Sequence, residues 1–247
     1  MSERIQKYLA RIGYGSRRQI ESWLSSNDIV DGDRNPYRVG QKVGPDDRIF
    51  LFGTEIVVDG PASRRPRVLA YHKRLGEVST ASDPQGRPTI YDNLPPCGRQ
   101  GKWVSAGRLD INSSGLILFS DDGELIHSLT HPSGEVVREY RCRVWGQVGA
   151  DKIKRLKAGV RSRSDLLRFD EVKLLDSSGG ANSWYRVVIR RGKNREVRRA
   201  WEAVGCKVNR LIRTRFASVR LRDDHAEGSW LELKRTEVET LLKIVGK

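Results

Sequence analysis

SAGRLDINSSGLILFSDDGEL, running from Ser105 to Leu125, sets a single carboxylate, Asp110, between two apolar runs of a strongly basic chain. Trp103 and Val104 read as a short strand leading in, and Leu116 to Phe119 as a strand leading out. Between them Gly107, Asn112, Ser113, Ser114 and Gly115 are turn formers, so Asp110 is expected on a bend braced by strands. Braced loops are where reactive side chains tend to sit, while an Asp in a turn also commonly does no more than hydrogen-bond its own backbone. Spacing alone leaves both readings open.

The surroundings of this stretch narrow the choice through charge. The 247 residues, 37% of them apolar, can fill a core and suggest two domains. A formal charge of +15 favours a polyanionic partner, nucleic acid first, because each Lys or Arg that neutralises a phosphate releases a condensed counterion. From Arg186 to Arg222 there are 13 Lys and Arg against Glu196 and Glu202, a net +11 within 37 residues. Interleaved apolar residues, among them Val187, Ile189, Val197, Trp201 and Val204, mark this region as folded and amphipathic, unlike a disordered basic tail.

Cys97, Cys142 and Cys206 are odd in number and far apart, which suggests a reducing compartment without a disulfide framework. His127 and His131 lie four apart, but no Glu follows His127 as in HExxH and Pro132 ends the helix, so no zinc site is expected. GxxxxGK[ST] is absent, and no cofactor motif is present. No apolar run approaches the ~20 residues needed to span a bilayer, and MSERIQKYLARIGYG lacks a signal peptide's apolar core. A cytoplasmic protein is expected.

Ile5, Tyr8, Leu9 and Ile12 follow helical spacing that Gly13 terminates. Ser16 and Gln19 form a capping box for a second helix with Ile20, Trp23 and Leu24 inward. Lys7, Arg11, Arg17 and Arg18 lie on or beside this pair, and Ile29-Val30 and Arg48 to Phe52 read as strands. Taken alone, helix, turn and helix could equally read DNA. Residues 59–67 are polar, hold two prolines and lack periodicity, so they read as a linker. The expected division is 1–60, a linker at 61–67, and 68–247. Beyond it Val68 to Tyr71, Arg138 to Val144, Val172 to Leu175, Trp184 to Arg190 and Trp230 to Leu233 have strand character, whereas Asp151 to Ala158 and Glu237 to Val245 look helical. Few strict βαβ repeats appear, which points to α+β with a largely antiparallel sheet. Asp83 to Gly101, rich in Pro and Gly, is expected to be a loop, either over a substrate or a plain surface excursion.

GRLDINSSGLILFSDDGEL is followed in order by HPS at His131 to Ser133, REY at Arg138 to Tyr140 and GKNREVRRAWEAVG at Gly192 to Gly205. This series resembles the motifs of the RNA pseudouridine synthases, in the RsuA/RluB/RluE/RluF branch, nearly from end to end. The likeness is greatest to its members that modify large-subunit ribosomal RNA. HKRLG at His72 to Gly76 stands where the family has HKPxG, with Arg74 in place of Pro, which puts the local turn in question. The resemblance implies a small ribosomal-protein-like RNA-binding domain at the N-terminus, an α+β catalytic domain, no cofactor, and ribosomal RNA as partner; a substrate of that size leaves little need for a partner subunit, so a monomer is expected.

It also implies roles. A uridine inside folded RNA must swing outward at a cost of a few kcal/mol before a carboxylate can reach its sugar. Asp110 matches the family's catalytic aspartate, either as nucleophile toward the anomeric carbon or as a base leading to a glycal. Arg108 matches the residue thought to fill the vacated space, or else holds a phosphate. Arg198 matches the arginine paired with the carboxylate. Arg195, Arg199 and Lys193 are expected to hold RNA, with Arg195, Arg198, Arg199 and Glu202 on one helix face and Val197, Ala200, Trp201 and Val204 on the other. Tyr140 matches an aromatic that packs on the flipped base, although a strand tyrosine can also be plain core. Leu211 or Ile212, in VNRLIRTRF, matches the pocket floor. The rival readings are a non-catalytic ribosome-assembly factor and a DNA-binding regulator.

Overall fold

Ile5, Tyr8 and Leu9 bury one side of the first helix because they recur at helical spacing. The computed structural model describes residues 2–44, 46–56, 65–97, 102–177 and 181–246. The chain forms two units: Met1–Pro66 with Pro96–Trp103 and Asp121–Gly123, and Arg67–Pro95 with Val104–Ser120 and Glu124–Lys247. Most of the linker expected at 61–67 lies outside the described residues.

In the smaller unit β1 (Glu3–Arg4) leads into α1 (Ile5–Arg11), which Gly13 closes with φ +96°. α2 (Arg17–Ser25) starts where Ser16 Oγ accepts the Gln19 N–H at 3.2 Å. β2 (Ile29–Val30), β4 (Ile49–Leu51) and β5 (Thr54–Ile56) form an antiparallel sheet, and β3 (Lys42–Val43) pairs with β1. β3 and β5 were not expected, being too short to show a period. Trp23 is only half-buried and meets Phe52 edge-on at 5.3 Å. Lys7 and Arg11 both reach Glu3, at 3.6 and 3.1 Å, while Arg17 and Arg18 are exposed.

The larger unit is built on a nine-stranded sheet. Its elements are β6 (Val68–Lys73), β7 (Val104–Ser105), β8 (Ser114–Ser120), α3 (Gly123–Thr130), β9 (Arg138–Trp145), α4 (Ala150–Ala158), the β10–β11 hairpin (Val160–Ser162, Asp165–Leu167), β12 (Glu171–Ser177), β13 (Asn182–Ile189), α5 (Glu196–Glu202), β14 (Lys207–Phe216), β15 (Val219–Arg220), β16 (Trp230–Glu232) and α6 (Arg235–Ile244). The order is β12-β13-β9-β14-β8-β6-β16, with β15 on β14 and β7 on β8. β14 and β8 run parallel and the other neighbours antiparallel, so the α+β reading holds.

β8 is buried at every position because β14 and β6 flank it and side chains cover both faces, which is why it reads as an unbroken apolar run. It begins at Ser114, so Ser114 and Gly115 are strand residues and not part of the turn. Gly115 has φ +107°, and its α-carbon lies so near Arg213 that a β-carbon would stand 2.6 Å from the Arg213 amide nitrogen. Leu116, Leu118, Leu125, Ile126, Leu129, Val238 and Leu241 join the sheet to α3 and α6. On another part of the sheet Trp201 of α5 packs on Tyr185 and Phe169, at 5.1 and 6.0 Å. β14, the strand that joins the two regions, was hidden in the sequence by its four cations. The β10–β11 hairpin was likewise unanticipated. The described part of the irregular segment after Asp83 is anchored by Ile90, fully buried, and by Tyr91 edge-on to Phe119 at 5.1 Å. Among the described residues no helix is long and apolar enough to cross a membrane.

Candidate active site

Asp110 stands just before a turn that Ser113 N–H closes on the Asp110 carbonyl at 3.0 Å. The bend is fastened at several points. Ser79 Oγ accepts the Leu109 N–H at 3.2 Å, and the Gly76 N–H donates to the Ile111 carbonyl at 2.9 Å. Two buried cations hold the following residues. Arg198 donates from Nη1 to the Val208 carbonyl (2.7 Å) and from Nη2 to the Asn112 carbonyl (2.8 Å), and Lys73 Nζ donates to the Ser113 carbonyl (2.8 Å). Burial pushes the Arg198 pKa down, the Arg195 charge adds to this, and Asp110 opposes it. Burial likewise lowers Lys73 to about 8, against the pull of Glu77 and Asp110.

The Asp110 carboxylate itself points away from its own backbone and toward α5. Its Oδ2 lies 3.1 Å from Arg195 Nη1 and 3.9 Å from Arg198 Nε. Arg195 precedes the helix in the left-handed region, at φ +48°, which turns its side chain back toward the loop. The expected cation, Arg198, is therefore present but second in distance.

The two-faced reading of α5 needs correction, because Arg198 and Arg199 are as buried as Val197, Ala200 and Trp201. For Arg199 the β10–β11 hairpin explains this. Arg199 donates to the Ser162 carbonyl (2.6 Å), the Asp165 carboxylate (2.8 Å) and the Asn194 carbonyl (3.1 Å), and Lys193 Nζ reaches Asp165 at 2.6 Å. Those hydrogen bonds, Lys193 first and then Arg199, hold the Asp165 carboxyl below its usual range. Arg199 is thus a structural cation with its donors taken, not a free phosphate ligand, and Lys193 is tied to the same acid.

Asp110, Arg108 and Arg195 border a pocket of about 150 Å³ whose walls include Tyr140, Leu211, Arg138, Arg213 and Phe216. Whole-ligand sites ordinarily start near ~300 Å³, so this one suits a single planar group. Tyr140 and Leu211 are buried in the wall. Between Leu211 and Ile212 the strand's two-residue alternation decides for Leu211, since Ile212 does not line the pocket. Arg108 is exposed at the rim.

Sequence reasoning assigned no chemistry to four charged groups here: Lys73, Arg138, Arg213 and Glu196. Arg138 and Arg213 set their guanidiniums 5.1 and 5.0 Å from the Phe216 ring. Arg213 Nε donates to the Leu116 carbonyl at 2.7 Å, while its Nη2 is buried with no hydrogen-bond partner among the described residues. Glu196 accepts the Lys193 N–H at 2.7 Å, and burial raises its pKa. The usable signal was parity: Arg138 and Arg213 occupy inward positions of strands whose outward positions are also charged.

Residues 67–203 match the family model described as RNA pseudouridylate synthase. The chain belongs to that family. It is 44% identical over 246 residues to ribosomal large subunit pseudouridine synthase B of Salmonella typhimurium (strain LT2), covering 99% of this chain and 84% of that synthase. It is 43% identical over 247 residues to the protein of the same name from Pseudomonas aeruginosa, covering 100% of this chain and 63% of that one. The fold of this pseudouridylate synthase is shared with a crystal structure of a pseudouridylate synthase at TM-score 0.65 and 23% identity, over 96% of this chain and 99% of the other.

Proposed function

We propose that this chain isomerises uridine to pseudouridine in large-subunit ribosomal RNA, with Asp110 as the carboxylate that acts on the sugar. One observation carries the reading: the Asp110 carboxylate, 3.1 Å from Arg195 and 3.9 Å from Arg198, opens on a pocket for one planar group beside Tyr140. The names of the relatives, which the chain matches over nearly its whole length, support the substrate.

The reaction breaks the bond from the anomeric carbon to the base nitrogen, turns the base, and forms a bond to carbon five, whose proton leaves while the freed nitrogen takes one up. No net oxidation occurs. Asp110 either attacks the anomeric carbon or removes a sugar proton to give a glycal. Both routes need the anion, and the adjacent guanidiniums offset its charge in a site that RNA would close to water. Arg108, exposed at the rim, replaces the extruded nucleotide in its stack. Tyr140 packs on the uracil, and its hydroxyl assists proton transfer at carbon five. Arg213 Nη2, buried with no partner among the described residues, donates to a uracil carbonyl, and Leu211 forms the floor. The N-terminal unit, through Arg17, Arg18, Lys7 and Arg11, holds flanking RNA. We infer a cytoplasmic monomer divided at 61–67.

The test is release of tritium from ribosomal RNA labelled at uridine carbon five. Wild type releases label and Asp110→Asn does not, while both bind the RNA. Binding by both with release by neither rejects catalysis.

A further inference from the structure

The sheet register sets rows of side chains side by side on the face away from the Asp110 pocket. Directly paired residues of neighbouring strands point the same way. The pairings run Trp184 to Arg143 to Arg210 and Asn182 to Trp145 to Lys207, with Arg141 beside Ile212. Alternate positions such as Cys142, Val144, Tyr185 and Leu211 are buried on the pocket side.

Arg141, Arg143, Lys207 and Arg210 are exposed, and Trp145 is 51% exposed. The Arg141 guanidinium lies over the Trp184 ring at 5.6 Å. Three carboxylates share this face: Glu171 is bound by Arg186, Glu139 by Arg186 and Arg220, and Asp176 is exposed beside Trp184. The four cations are left facing solvent with no carboxylate paired to them among the described residues. A sheet face with a surplus of exposed cations and accessible indoles is complementary to nucleic acid, the cations to phosphates and the rings to bases.

We propose that this uncovered sheet face is a second RNA-binding surface, taking a segment of ribosomal RNA outside the nucleotides that enter the Asp110 pocket. It rests on the reading that RNA is the substrate. It gives the enzyme a grip on its target beyond the loop it modifies.

The full chain with Arg141, Arg143 and Arg210 changed to Ser is compared with wild type on two RNAs, the shortest hairpin that wild type modifies and a longer transcript of the same region. Affinity for the long transcript falls at least about tenfold, and the slope of log K against log salt shrinks by roughly two to three, at ~0.7–0.9 per phosphate contact. Lys at the same three positions restores both, and turnover of the hairpin is unchanged. In an Asp110→Asn background the long transcript quenches a fluorescence component that Trp145→Phe removes. Unchanged affinity and slope overturn the proposal, as does parallel loss of hairpin turnover. Capture of an acidic protein by this face with RNA affinity unchanged overturns it too. Failure of the functional reading shows separately, as absence of turnover by wild type on the long transcript and every hairpin cut from it, and leaves the affinity comparison on the long transcript intact.

Discussion

Arg195 Nη1 stands 3.1 Å from Asp110 Oδ2, nearer than Arg198, whose Nε lies 3.9 Å from the same oxygen. The two arginines therefore divide the work. Arg195 is exposed and reaches Asp110 through a single hydrogen bond, so it can follow the carboxylate as charge develops on the sugar. Arg198 is buried and fastens the bend to β14 through two carbonyls.

Arg195→Ala is accordingly expected to slow turnover about tenfold, ~1.4 kcal/mol, with little change in stability. Arg198→Ala leaves two carbonyls without donors and should cost about 2–4 kcal/mol of folding free energy as well as activity. Urea unfolding beside single-turnover kinetics separates them. Equal destabilisation by both variants would refute this division.

Asp165 supports the same helix from outside the pocket. Its pKa is depressed by Lys193 and Arg199, so its contribution is present above the unfolded carboxylate's pKa and is lost as pH falls through the lower folded value. Asp165→Ala leaves the buried Arg199 short of its counterion. A lower melting temperature at pH 7 is expected, with the gap to wild type narrowing toward pH 2. A constant gap across that range would show that the charge pair is not the cause.

Much of this was legible in the sequence for an identifiable reason. β8 is covered on both faces, so its apolar run announced a strand and, with it, the bend that carries Asp110. α5 was misread because amphipathic logic sends arginines to solvent, and nothing in GKNREVRRAWEAVG reveals that a hairpin thirty residues earlier supplies Asp165 and the Ser162 carbonyl as partners. β14 failed for a related reason: KVNRLIRTRF alternates, but Arg213 sits at an inward position where an apolar residue is the norm. Buried charge satisfied by distant backbone leaves no local signature.

Lys73 couples the site to pH. Its folded pKa of about 8 lies below the 10.5 of a free lysine. Between those values the unfolded chain holds the extra proton, so this group's contribution to stability rises with pH, while below pH 8 the fold carries a desolvated cation. Catalysis runs the other way, because deprotonation removes a positive charge that acts on Asp110. Turnover is expected to fall as pH passes about 8, and Lys73→Met should be about tenfold slower at pH 7 without that alkaline limb. Persistence of the same limb in the variant would assign it to another group.

Gly115 provides the sharpest test of how the strand order holds the bend. It pairs with Arg213 where β8 and β14 run parallel, and its φ of +107° is one that residues with a β-carbon rarely adopt. A methyl group there meets the Arg213 backbone, which cannot rotate away as a side chain would. Gly115→Ala should therefore push the two strands apart, costing about 2–4 kcal/mol through strain and overpacking. The separation carries Ser113 and Asn112 away from Lys73 and Arg198, so the carboxylate is misplaced even in molecules that remain folded. The expected result is a loss of turnover larger than the fall in folded population, read by comparing tritium release with circular dichroism at several temperatures. Full activity per folded molecule would mean that the bend is positioned independently of the β8–β14 junction.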